Sequence, residues 1–329
     1  MDNKYIPVNM FMNFIEKNID NMKYFYILSE ENTPMAITLL KNKGIIVIPP
    51  MLTEKQMVNM IYQNILGESH SENNNVVVFL GADSKVGTSM ISQCIAEKLS
   101  SDNDIKVLLA VLDGKPGMDY IHYNDNCVGI DTIKGKIAHQ ILSEEELENV
   151  CIKINRLYIL QGTQTIVNRA HYHPEHIETF LELASQAFDI VIVDAGCNVE
   201  LGMTIGALNS TQHRCLVSTQ QSTCLKHFKL VRDQILSKLN IQDFVLIINK
   251  YMENNELPDK HELSRYYTAP IVAAVPYSEY GWQAEIEQCS LLNFHELFYK
   301  DAISHITSFI EETLKIKKEI KKEKKGSFF

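Results

Sequence analysis

Val76-Val77-Val78-Phe79-Leu80-Gly81-Ala82-Asp83-Ser84-Lys85-Val86-Gly87-Thr88-Ser89 is the stretch on which the reading of this chain turns. Its first five residues form an apolar run that reads as a buried strand. Gly81 and Gly87 frame a polar loop, and Met90-Ile91-Ser92-Gln93-Cys94-Ile95-Ala96-Glu97-Lys98-Leu99 follows as a helix. Strand, glycine loop and helix in this order describe a phosphate-binding loop. In such a loop the backbone amides and the helix N-terminus hold phosphates, a lysine reaches the outer ones, and a Ser/Thr hydroxyl ligates magnesium. Here Ser89 fills the hydroxyl position, but Thr88 stands where the lysine belongs. The loop supplies Gly81, Ser84, Lys85, Val86, Gly87, Thr88 and Ser89 as nucleotide-binding candidates.

Beyond the loop, apolar runs alternate with helical stretches. Strands are expected at 107–112, 157–160, 190–193, 215–218, 245–248 and 271–274, with the clearest helices at 174–186, 225–239 and 294–313. Val, Ile and Leu runs without polar alternation suit a sheet covered on both faces. They predict an α/β fold with a mostly parallel, doubly wound sheet. Two of these strands end in carboxylates. Phe188-Asp189-Ile190-Val191-Ile192-Val193-Asp194-Ala195-Gly196 carries Asp194 to a strand end, where a carboxylate can face magnesium or its water shell together with Ser89. Val107-Leu108-Leu109-Ala110-Val111-Leu112 delivers Asp113 in the same way, and ligands of open α/β sheets lie beyond these strand ends.

Residues 1–70 read as a separate small α/β unit: helix 7–19, strand 24–28, helix 34–43, strand 45–48 and helix 53–66. The polar run at 67–75 separates it from the first strand of the large region, with 71–75 as the linker and 76–313 as the main domain. Residues 314–329 form a lysine-rich tail that ends in Phe328 and Phe329, either a solvated, fraying helix end or a contact with acidic lipid or nucleic acid, with too little apolar surface for a membrane-targeting helix of its own. In all, 45% of the 329 residues are apolar and 22% charged, as in ordinary globular proteins. No apolar run reaches the length of a membrane span, so a cytoplasmic protein is expected. The seven cysteines are scattered without C-x-x-C spacing, which suggests neither a disulfide framework nor a zinc site. The formal charge of −10 makes DNA an unlikely partner.

The loop, with its two strand-end aspartates, resembles that of the MinD/ParA group of deviant-Walker P-loop ATPases over about residues 75–300. The group's pattern K-G-G-x-G-K-[ST] falls on Asp83-Ser84-Lys85-Val86-Gly87-Thr88-Ser89. Both family lysines are replaced, by Asp83 and Thr88. The resemblance implies ATP and magnesium as cofactors. It makes Asp194 the Walker B carboxylate and Asp113 the catalytic candidate that positions the attacking water. Asn249, in Ile248-Asn249-Lys250-Tyr251, is similar to an asparagine that reads adenine, and Pro276, in Val275-Pro276-Tyr277, to a proline that flanks the base. Within the group, Val86-Gly87-Thr88-Ser89 is most similar to the atypical loop of the pilus-assembly branch, TadZ and its CpaE relatives, whose members carry a receiver-like N-terminal domain. The small unit here would be a truncated receiver without a phosphoacceptor.

The resemblance implies a homodimer that binds ATP, hydrolyses it slowly at most, and works with pilus or secretion assembly proteins, recruited to the membrane or a cell pole. Two other functions fit the sequence: an active ParA-like ATPase for DNA or cargo partitioning with Lys85 as substitute cation, and a nucleotide-free scaffold.

Overall fold

The computed structural model describes residues 7–17, 23–28, 34–48, 57–58, 60–61, 74–117 and 129–316. The chain divides into two compact units, one of Met1–Glu72 with Leu230–Gln242, the other of Asn73–Lys229 with Asp243–Phe329. The expected helix at 53–66 and the linker at 71–75 lie mostly outside the described residues, and the tail lies outside them from residue 317 onward. Among the described residues no helix is long and apolar enough to cross a membrane.

In the first unit, α1 (Val8–Lys17), β1 (Phe25–Ile27), α2 (Pro34–Asn42) and β2 (Ile46–Ile48) follow the expected order. The strands pair in parallel, Tyr26 opposite Val47. A parallel pair needs a crossover, and α2 supplies it. Phe11, Tyr26, Leu28, Leu40 and Ile45 form the core, with the rings of Phe11 and Tyr26 4.9 Å apart. Residues 230–242 include a π-helical turn, Arg232–Leu236, in place of the straight helix expected to run to 239. Ser237 accounts for it locally, donating both its backbone N–H and its hydroxyl to the Arg232 carbonyl at 2.9 and 2.7 Å.

The second unit is built on eight strands: β3 (Val76–Gly81), β4 (Val107–Val111), β5 (Ile152–Ile154), β6 (Leu157–Leu160), β7 (Ile190–Asp194), β8 (Arg214–Ser218), β9 (Val245–Tyr251) and β10 (Ile271–Pro276). Their order in the sheet is β10-β9-β8-β3-β7-β4-β6-β5, parallel throughout except for β5, which runs antiparallel to β6 at the edge. Every residue of β3, β4 and β7 is buried, as their unbroken apolar sequences require. The interleaved helices are α3 (Thr88–Asp102), α4 (Lys134–Ala138), α5 (Glu144–Val150), α6 (Pro174–Ala187), α7 (Gly202–Asn209), α8 (Ser222–Val231), α9 (Lys260–Tyr267), α10 (Gly281–Glu287) and α11 (Leu297–Thr313).

Among the boundaries that differ from the sequence expectation, two have a plain local cause. Helix α3 begins at Thr88, not Met90, because Gly87 at φ 93° turns the loop straight into the helix. Helix α11 begins at Leu297, not at 294. The Ser290 side chain accepts from Leu292 N–H and caps a 3-10 turn over Leu291–Asn293, while Phe294 stacks on Tyr280 at 4.9 Å. This unit has the mixed α/β architecture with a mostly parallel, two-sided sheet that the sequence predicts.

Candidate functional site

Adjacent strands β3, β7 and β4 bring the glycine loop, Asp194 and Asp113 to one edge of the sheet. The loop is fixed from several sides. Gly81 N–H donates to Gly196 O at 2.7 Å and Ala82 N–H to Val217 O at 2.8 Å, while the Asp83 carboxylate accepts from Ser84 N–H at 2.7 Å. From β9, beyond β8, Asn249 Nδ2 donates to Val86 O at 2.8 Å and Lys250 Nζ to Lys85 O at 3.0 Å. From α8, His227 Nδ1 lies 2.8 Å from Ala82 O; facing a carbonyl, that nitrogen carries the proton. Asp83 Oδ1 is 3.9 Å from the same ring nitrogen.

Gly87 must be glycine twice over. Its φ of 93° disfavours any side chain, and a Cβ there would come within 2.2 Å of Asn249 Nδ2. At Gly81 a Cβ would lie 2.7 Å from Thr88 Oγ1, so the residue in the lysine position is folded back onto the loop's first glycine and is buried. The first turn of α3 has no side-chain cap and no acidic residue, and Ser89 stands half-exposed in it. That arrangement leaves the helix N-terminus suited to an anion.

Asp194 is fully buried; its Oδ1 accepts from Gly196 N–H at 3.0 Å and its carbonyl from Leu112 N–H at 2.8 Å. The second bond ties β7 to the end of β4, where Asp113 sits 4% exposed. Asp113 Oδ1 accepts from Lys115 N–H at 2.9 Å, and its Oδ2 lies 3.5 Å from Lys115 Nζ. Gly196, at φ 63°, passes so close to Asp113 that a Cβ on it would lie 2.7 Å from the Asp113 Cβ. Cys197 follows directly, its thiol held above the ordinary range chiefly by burial, with Lys115 pulling the other way.

The structure thus brings together Gly81, Ser84, Lys85, Val86, Gly87, Thr88, Ser89, Asp113, Asp194 and Asn249. Pro276 ends β10, where it pairs with Tyr251 at the periphery. Sequence reasoning passed over Lys250, His227 and Lys115. Lys250 adjoins Asn249 and was within reach, but His227 carries no local signal. The loop amides and the uncapped first turn of α3 could hold a nucleotide's phosphates, Ser89 and Asp194 could serve magnesium, and Asn249 could meet the base. Among the described residues no group of three or more His, Cys, Asp and Glu could enclose a metal. In nucleotide sites magnesium usually rests on one or two side chains plus phosphate.

Among solved structures, the chain is similar to the ParA family ATPase from Chlorobium tepidum TLS, with a TM-score of 0.61 and 20% identity over 71% of this chain and 99% of that one. It is similar to the cell division ATPase MinD of Pyrococcus furiosus, with a TM-score of 0.59 and 15% identity over 73% of this chain and 99% of the other. The septum site-determining protein MinD of Pyrococcus horikoshii OT3, complexed with Mg-ADP, gives a TM-score of 0.59 and 15% identity over 75% and 99%. No protein-family model and no curated protein matches the chain.

Proposed function

We propose that this chain is an ATP-holding protein of the MinD/ParA type with little or no turnover, acting as a localisation or assembly factor for a Tad-like pilus or secretion apparatus. The observation that carries the nucleotide reading is the convergence of an uncapped phosphate loop, Asp113, Asp194 and Asn249 at neighbouring strand ends, with Thr88 folded inward where a cation would reach the phosphates. Asn249 spends an amide proton on Val86, and its Oδ1 is the atom that can accept from an adenine amino group. In support, similar folds are known with Mg-ADP, in MinD of Pyrococcus horikoshii, and with a protein partner, in the MinC:MinD complex of Aquifex aeolicus.

Loss of one charged contact to phosphate costs about 1.5–3 kcal/mol, a roughly tenfold to hundredfold weaker complex. The remaining amide and magnesium contacts keep binding within reach of cellular ATP. Turnover suffers more, because phosphoryl transfer depends on electrostatic stabilisation of the transition state. ATP would act by stabilising a homodimer or a partner-binding surface. The first unit, with two strands among the described residues, would serve as a truncated receiver-like contact module, and the basic tail as an auxiliary membrane contact.

The test is a titration with ATP and magnesium by calorimetry beside a phosphate-release assay. Binding with thermal stabilisation and scarcely measurable release is expected. Turnover in the ordinary enzyme range of about 1–10³ per second refutes the low-turnover claim, and turnover abolished by Lys85→Ala would favour the active ParA-like ATPase instead.

A further inference from the structure

The phosphate loop has lost both lysines of the pattern it resembles, and three carboxylates, Asp83, Asp113 and Asp194, belong to its surroundings. A triphosphate placed there would bind more tightly with a cation in place of those lysines. Three lysines come into question. Lys250 is committed, its ammonium bonded to the Lys85 carbonyl. Lys85 is exposed on the loop, in left-handed backbone geometry at φ 61°.

Lys115 is held differently. Its N–H is bonded to Asp113 Oδ1, and its carbonyl packs so closely on Gly162 that a Cβ there would lie 2.0 Å from it. The backbone is therefore anchored at both ends of the residue. The side chain is 65% exposed, and its ammonium lies 3.5 Å from Asp113 Oδ2. Asp113 packs on Gly196, and Gly196 O takes the N–H of Gly81, the first residue of the loop. These contacts make an unbroken path from the ammonium to the phosphate loop.

We propose that Lys115 supplies the cation missing from the loop: its ammonium, steered by Asp113, contacts the outer phosphates of a bound nucleoside triphosphate. This rests on the nucleotide reading above. A cation arriving from the β4 end with its own carboxylate partner differs from one rising out of the loop, because its position depends on Asp113. Lys115 is thus a phosphate-binding and positioning residue, and selectivity for triphosphate over monophosphate is its signature. A lysine acting as a point charge on phosphate tolerates arginine better than alanine.

The experiment uses the full chain with magnesium and compares affinities for ATP, ADP and AMP in wild type, Lys115→Ala and Lys115→Arg. Lys115→Ala is expected to weaken ATP about tenfold to hundredfold, to change AMP by less than about threefold, and to leave the circular dichroism spectrum unchanged. Lys115→Arg is expected to retain most of the ATP affinity. Wild-type ATP affinity in Lys115→Ala, or equal losses for ATP and AMP, overturns the role of Lys115 while leaving the nucleotide reading intact. Failure of the wild-type chain to bind any of the three nucleotides overturns that reading, and this role with it.

Discussion

Gly87→Ala tests the geometry of the loop most directly. An alanine Cβ would lie 2.2 Å from Asn249 Nδ2, so the asparagine must withdraw from Val86 O, a buried bond of 2.8 Å. Leaving a buried carbonyl without its donor costs about 1–3 kcal/mol. The backbone at φ 93° adds about 1–2 kcal/mol for a residue with a side chain. Together these give a loss of roughly 2–5 kcal/mol, or on the order of 1 M in the urea midpoint at a slope of about 1–3 kcal/mol per M. The assay is urea unfolding followed by circular dichroism, with Gly135→Ala as control. Gly135 lies within α4 with nothing near its Cβ position, so that change should stabilise by about 0.5–1 kcal/mol. In an Asn249→Ala background the clash disappears, and Gly87→Ala should cost only the backbone share. A Gly87→Ala midpoint equal to wild type, or an equal cost in both backgrounds, refutes the reasoning.

Other outcomes follow from the same structure. Asp131 accepts from Tyr172 OH at 2.6 Å, Thr163 Oγ1 at 3.0 Å and Gln164 N–H at 3.0 Å, so Asp131→Ala should destabilise by at least about 2 kcal/mol. Burial and the Asp131 charge both raise the Tyr172 pKa; the variant should lower it towards the ordinary tyrosine range, visible as phenolate absorbance at lower pH. Burial pushes the Cys215 thiol up to about 12. Its contribution to stability is complete below an unfolded thiol's pKa of about 8.5 and declines as pH rises towards 12. Subtracting a Cys215→Ala unfolding profile should isolate that decline, and parallel profiles would contradict it. Because Lys115 draws the Cys197 pKa down against burial, Lys115→Ala should slow alkylation of Cys197 at fixed mildly alkaline pH; faster or unchanged labelling would count against their proximity.

Much of the sheet was legible because a parallel strand covered on both faces leaves an unbroken apolar word in the sequence, as in Val76–Gly81 and Ile190–Asp194. Strand β5 escaped because it is three residues long and alternates, Ile152-Lys153-Ile154, as an edge strand does. The short helices α4, α5, α7, α9 and α10 were passed over for a related reason, since five to eight residues carry too few turns for a clear period. At the site, Asp113 and Asp194 were readable as the last words of strands. The inward fold of Thr88 was not, because it depends on Gly81 seven positions earlier and on the loop's closure. Nor were the bonds from Asn249, Lys250 and His227 to the loop, which join residues more than a hundred positions apart.

Those long-range bonds bear on the kinetics of any ligand that uses the loop. Ordering one residue's backbone costs about 1–2 kcal/mol of conformational entropy. Where loop amides and carbonyls are already tied to Gly196, Val217, Asn249 and Lys250, that loss is taken at folding and not at association. A ligand would then meet a formed surface, with encounter and desolvation setting the rate and no slow closing step to wait for. Residence time, by the same reasoning, would depend on contacts made by the ligand itself and would respond sharply to the loss of any one of them.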